Sequence, residues 1–228
     1  MFPLRDTIPS RRPPLVVLLL IALNALVFVH EFRLGAEGVP ELFARFALVP
    51  AEVPLGWPEF LAAPARYGTY LSSMFLHGGL LHLLGNLWML WIFGDNVEDR
   101  LGHGRFLAFY LVCGLAAGAT HVWFSPGSEV PTIGASGAIS GVMGAYLFLF
   151  PRARVITVIP VVFYPLFVEL RAYLFLGLWF AVQLLSGFLS LRETEAAAGI
   201  AFLAHVGGFV AGVALHVFFR RREPVRGE

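Results

Sequence analysis

The sequence has no lysine, one cysteine and few charges of either sign. Charged residues make up 14% of the chain, where a soluble domain carries about 25%. Hydrophobic residues make up 58%, and the mean hydropathy is +0.76. These values exclude an ordinary soluble domain and point to a polytopic membrane protein whose 228 residues suit one domain. The lone Cys113 excludes an internal disulfide and a cysteine metal site. No His-Glu-x-x-His occurs, so zinc-protease chemistry lacks its ligands. The only candidates for a facing aspartate pair, Asp95 and Asp99, sit together at one helix end. The soluble-hydrolase elbow Gly-x-Ser-x-Gly is not met, because Ala138 follows Gly137. The two halves show no convincing inverted repeat, which argues against a transporter.

What is present is a row of small residues in an apolar setting, Thr132 to Ala145, with Ser136 between Gly134 and Gly137. Gly137, Gly141 and Gly144 fall near helical spacing, a pattern that lets neighbouring backbones approach closely. Alone, the stretch reads as a tight packing helix. A second stretch, Ala204 to Gly212, places His205 beside Ala204, Gly208 and Gly212 at i, i+4 and i+8. If the two small faces pack together, a serine and a histidine come within hydrogen-bond reach, as a nucleophile and its base require.

The apolar runs predict six spans, near 15–29, 80–93, 106–124, 134–150, 172–189 and 199–219. Residues 1–13 form an N-terminal segment, 14–219 the six-helix domain and 220–228 a basic tail. Residues 30–76 form a long first external loop, with short surface helices suggested around Leu42–Leu48 and Phe60–Leu61. The residues from Arg152 through Pro160 are a plain connection to the fifth span, and Arg192–Glu195 a loop before the sixth. The fourth span ends before Pro151, giving about 17 residues and about 25 Å, short of a hydrocarbon core of about 30 Å. With six spans both termini share a side, which holds twelve arginines; Arg33, Arg45, Arg66 and Arg192 lie opposite. The positive-inside rule puts both termini in the cytoplasm, and a multi-pass protein of the cell membrane is expected. His82 and Asn86, Ser136 and His205 then fall at similar depth in the outer half of the bilayer. Polar groups are costly there, so their common level implies a water-reached cavity.

The chemistry that follows is a Ser–His dyad without an Asp, since no carboxylate lies in the outer half of the last three spans. Ser136 sits at a helix N-terminus, where free N–H groups and the dipole favour negative charge. His82 and Asn86, at i and i+4, can donate to an oxyanion. Glu98, at the far end of its span, reads as a structural acceptor at a helix end. His77 reads as a brace for the first loop, and His30, His103, His121 and His216 as packing or interfacial histidines.

At these residues the chain resembles the rhomboid family of intramembrane serine proteases, over nearly all of residues 66–216. Gly134-Ala135-Ser136-Gly137 is similar to that family's Gly-x-Ser-Gly, and Ala204-His205 with Gly208 and Gly212 to its Ala-His-x-x-Gly-x-x-x-Gly. His77, His82 and Asn86 match its second-span His and His-x-x-x-Asn, and Gly94, Glu98 and Gly102 its Gly-x-x-x-Glu-x-x-x-Gly. The resemblance implies an all-α, six-helix rhomboid fold and a Ser136–His205 dyad. It also implies an oxyanion and substrate site including His82, Asn86 and Gly134, and cleavage of membrane-anchored proteins near the outer face. Expected partners are the lipid bilayer and single-span protein substrates, with no cofactor, metal or nucleic acid. Two positions depart from the pattern. The first-loop Trp-Arg pair is missing, with Ala65-Arg66 nearby. Four residues after the serine, where some members stack a Tyr on the histidine, stands Ser140, so another group must orient His205. The competing reading is a non-catalytic rhomboid-like protein that binds membrane helices; it normally shows a lost Ser or His, and both are present here.

Overall fold

The computed structural model describes residues 1–53, 64–161, 164–190 and 202–221. In lipid a backbone must satisfy its own hydrogen bonds, so the apolar runs form helices. The first, α1 (Leu15–Phe46), starts behind Pro13-Pro14 and breaks at Gly35, which adopts φ 65°. Its second part covers the Leu42–Phe46 region, where a short helix was expected. The other suggested surface helix, at Phe60–Leu61, lies outside the described residues.

Helix α2 (Pro64–Ser72) runs through a short 3₁₀ turn, Ser73–Phe75, into α3 (Leu80–Leu101), with an 80° bend between the two arms. Helix α4 (His103–Phe124) follows at once, because Gly102 takes φ 82° and reverses the chain in one residue. Next comes α5 (Ser136–Leu149), only 14 residues, or about 21 Å. Its small residues let it sit at the centre, with Gly137 to Tyr146 all buried against α3, α4 and α7. Helices α6 (Ala172–Ser190) and α7 (Phe202–Phe219) complete the bundle. Among the described residues, four helices are long and apolar enough to cross a membrane, or five if the bent α2–α3 pair is one span; α5 is a shorter apolar helix.

The expectation of an all-α chain is corrected by a three-stranded antiparallel sheet. Strands β2 (Arg154–Val161) and β3 (Tyr164–Arg171) form a hairpin where a plain connection was expected, and β1 (Phe2–Asp6) pairs with the other edge of β2. The register runs from Arg154↔Arg171 to Val161↔Tyr164, with Phe2↔Val158 and Asp6↔Val155 on the β1 side. The β-branched run Val155-Ile156-Thr157-Val158-Ile159 favours a strand over a helix. Arg154 and Glu169 form an ion pair (2.8 Å) near the base of the hairpin. Trp88 on α3 donates its indole N–H to the Pro3 carbonyl (2.6 Å), tying β1 to the bundle.

Candidate active site

Two glycine faces set the distance between α5 and α7. A β-carbon placed on Gly208 would overlap the Gly137 carbonyl oxygen, and one on Gly212 would overlap the Gly141 carbonyl oxygen. Gly144 faces the Phe209 backbone in the same way. Helices with ordinary side chains keep about 8–10 Å apart; here backbone meets backbone. The consequence appears one turn away. His205 Nε2 and Ser136 Oγ are 2.7 Å apart, within the range for proton transfer.

Ser136 is the first residue of α5, in the turn whose amides lack intrahelical acceptors. The preceding backbone is fixed by Gly134, whose N–H donates to the Ser73 carbonyl (2.9 Å). Gly134 has φ 116°, and a β-carbon there would lie 2.8 Å from the His82 ring and 3.4 Å from Asn86 Nδ2. Glycine is thus favoured both by conformation and by the His82 ring beside it. A cavity of about 790 Å³ collects these groups: His82, Asn86, Gly134, Ser136 and His205 all line it. Trp179 and Gln183 of α6, Met1, and Phe2 and Pro3 of β1 also face it.

His77 stands behind Asn86. The Asn86 amide donates to His77 Nε2 (3.0 Å), and His77 Nδ1 donates to the Phe75 carbonyl (3.2 Å). The His77 backbone N–H donates to the buried carboxylate of Glu31 on α1 (3.0 Å). His77 therefore links the bend before α3 to α1 and holds Asn86 by one of its two N–H bonds. Its ring meets that of His82 edge-on, with centroids 5.2 Å apart.

Glu98, Gly94 and Gly102 lie away from this cavity, at the other end of α3. The Glu98 carboxylate accepts the backbone N–H groups of Val16 (2.9 Å) and Val17 (2.8 Å). Those amides belong to the first turn of α1, so Glu98 caps a neighbouring helix rather than its own. His103 donates to the same carboxylate, a partnership the sequence reading did not foresee. Gly94 brings α3 against Val17, since a β-carbon there would lie 2.8 Å from the valine methyl.

Two residues of α6 missed by sequence reasoning meet the His205 ring. Gln183 Oε1 lies 2.7 Å from His205 Nδ1. Trp179, one turn earlier on α6, packs at a tilt against the ring, with centroids 6.1 Å apart. Ser140 does neither, because its hydroxyl donates to the Ser136 carbonyl (2.7 Å). The one available signal was Gln183 itself, the lone amide side chain in an apolar span. Among the described residues, no group of three or more His, Cys, Asp or Glu converges as a metal site would require.

The Rhomboid domain model matches residues 64–222, and the chain belongs to the rhomboid family. It is a multi-pass membrane protein. It is similar to rhomboid protease GluP of Bacillus subtilis (strain 168), 35% identical over 137 residues, which cover 60% of this chain and 25% of that protein. Rhomboid protein 1, mitochondrial, of Saccharomyces cerevisiae is 33% identical over 90 residues, 38% of this chain and 26% of the relative. Presenilin-associated rhomboid-like protein A, mitochondrial, of Danio rerio is 29% identical over 172 residues, 72% and 42% respectively. The matched region thus spans less than half the length of these curated relatives.

Proposed function

We propose that the chain is an intramembrane serine endopeptidase that cleaves membrane-anchored proteins near the outer face of the bilayer. The observation that carries this reading is the 2.7 Å contact between Ser136 Oγ and His205 Nε2 inside a cavity large enough for a peptide segment. The similarity to a rhomboid protease supports it. Six crossings, with cytoplasmic termini in the cell membrane, are part of the proposal; they rest on the arginine asymmetry and on α5 serving as a short, enclosed crossing.

In the proposed mechanism, His205 Nε2 takes the Ser136 hydroxyl proton as Oγ attacks the scissile carbonyl. The oxyanion receives the Ser136 backbone N–H, the Asn86 N–H not spent on His77, and the His82 ring N–H. His205 returns its proton to the leaving amine, and an acyl ester remains on Ser136. Water, deprotonated by the same imidazole, then hydrolyses the ester and restores both groups.

The test uses purified protein and a library of single-span membrane segments, with products read by mass spectrometry. Ser136→Ala and His205→Ala are each expected to abolish cleavage while the protein stays folded. The double variant should be little worse, because the pair acts as a unit. A fluorophosphonate should label Ser136 in the wild type. Full activity of Ser136→Ala would overturn the assignment.

A further inference from the structure

An imidazole that acts as a base must present a lone pair, not an N–H, to its nucleophile. Neutral histidine has one of each, and the partner of the other ring nitrogen selects which faces where. At His205 that partner is Gln183. The two contacts, Gln183 Oε1 to Nδ1 and Ser136 Oγ to Nε2, are both 2.7 Å and lie on opposite sides of one ring.

We propose that Gln183 is the positioning residue of this site: its amide oxygen accepts the Nδ1–H of His205 and so presents an unprotonated Nε2 to Ser136. The proposal rests on the reading of Ser136 and His205 as nucleophile and base. Three observations support it. Ser140, at the position where some family members stack a Tyr, is committed to the Ser136 carbonyl. Trp179 and Phe202 flank the ring, at 6.1 Å tilted and 6.5 Å edge-on; they restrict its tilt but leave its tautomer free. And α6 is the least buried of the four candidate spans, 22% against 28–44% for the others. An amide on so lipid-facing a helix is costly unless bonded, so the bond to His205 gives Gln183 its reason to be there.

A neutral amide differs from the carboxylate of a three-residue triad. It fixes the tautomer and the ring orientation but adds no countercharge when the imidazole takes a proton. The other titratable side chains that line the same cavity are Tyr70 on α2 and His82 on α3. If the Gln183 amide were turned over, its NH₂ would donate to Nδ1 and leave the N–H on Nε2, aimed at Ser136. The proposal therefore fixes one amide orientation and one tautomer, and both are measurable.

The experiment compares wild type, Gln183→Leu and Gln183→Glu in detergent or bilayer. Nitrogen-15 NMR on histidine-labelled protein, with His205→Ala as the assignment control, is expected to find the wild-type proton on Nδ1. Gln183→Leu should lose about 10–100-fold in kcat and in fluorophosphonate labelling of Ser136, less than the ~10⁴-fold loss when a triad carboxylate is replaced. KM should stay within about twofold, since only the base is disturbed. Gln183→Glu should keep most of the activity, with the acid limb of its kcat/KM profile moved to higher pH by the added negative charge. Wild-type rates and an unchanged pH profile in Gln183→Leu would overturn the proposal, as would a wild-type spectrum with the proton on Nε2. If Gln183→Leu fails to fold, the wild-type spectrum and the Gln183→Glu profile still decide. If the wild type neither cleaves nor labels, the nucleophile–base reading fails, while the spectrum alone still settles the Gln183 contact.

Discussion

The α-carbon of Gly208 faces the Gly137 carbonyl oxygen across the α5–α7 interface so closely that a single added methyl would overlap it. The group in the way is backbone of the central helix, which cannot rotate aside. Overpacking of this kind costs about 1–3 kcal/mol, and a 1 Å misplacement of reacting groups can cost about 10²-fold in rate. Gly208→Ala is therefore expected to lose about 10-fold or more in turnover, and Gly208→Val to be nearly inactive. Gly212→Ala should behave like Gly208→Ala, since it meets the Gly141 carbonyl oxygen. A helical-wheel reading of α7 puts Gly207 on another face and predicts a mild effect. In the fold Gly207 is packed too, against the Thr120 side chain of α4. Gly207→Val should thus destabilise the protein with less loss of turnover per folded molecule than Gly208→Val. Thermal unfolding and cleavage of a common substrate, at equal membrane insertion, separate the two.

Asn86 has two N–H bonds, and one is committed to His77. Asn86→Ala removes both the cavity-facing donor and the link to the bend. His77→Ala removes only the link. In the proposed mechanism Asn86→Ala should lower kcat by up to about 10²–10³-fold, the cost of one oxyanion donor, with KM little changed. His77→Ala should chiefly lower thermal stability, by leaving the Phe75 carbonyl and one Asn86 N–H without their ring partners, while the backbone N–H bond to Glu31 is kept. Equal losses of kcat in the two variants would make Asn86 a structural residue.

The Ser136 and His205 segments were legible because each carries a local pattern, small residues at helical spacing around one reactive side chain. Gln183 was not, because a single amide in a leucine-rich span has no spacing to mark it. The sheet was hidden for a related reason. In an apolar chain the polar–apolar alternation that marks a strand is lost, and the β-branched run at 155–159 was the remaining clue. Glu98 was readable as an acceptor at a helix end, but not that the helix would be α1, some eighty residues earlier. The Gly207–Thr120 contact was missed because a wheel assigns one packing face, whereas α7 packs against both α4 and α5.

Asp6 joins β1 to the bundle. It accepts from Asn96 Nδ2 on α3 (3.0 Å) and from the Tyr146 hydroxyl on α5. Burial raises its carboxyl to about 6; the Tyr146 hydrogen bond works against the shift, and nearby Asp95 adds to it. A pKa higher docked than free means the docked state holds the proton more tightly. The contribution is fully present below about 4 and is lost as pH rises through about 6. Hydrogen exchange in residues 2–6 should therefore be slower at pH 5 than at pH 7.5, after correction for intrinsic rates. Asp6→Asn should stay protected at both values. Protection that rises with pH would contradict the assignment.

The last prediction concerns what the proposed enzyme can cut. A membrane helix keeps each peptide carbonyl in a hydrogen bond to the amide four residues on, because lipid supplies no replacement. Ser136 lies at the start of the central helix, behind Gly134 and beside His82 and Asn86. An intact helix of about 10 Å diameter would bring its side chains to this serine, not its carbonyls. The substrate must therefore be locally unwound before attack. Glycine and proline lower helix stability by about 1 and about 3 kcal/mol relative to alanine, and each 1.4 kcal/mol is about tenfold in the unwound fraction. Substrates should accordingly carry weak helix formers next to the scissile bond. Replacing one such proline by leucine should slow cleavage about 10²-fold at saturating enzyme, while replacing an apolar residue ten positions away should not. The measurement is a single-turnover rate for each substrate in bilayers, with helicity checked by circular dichroism. If the leucine variant is more helical and is cut as fast as its parent, unwinding does not limit the reaction.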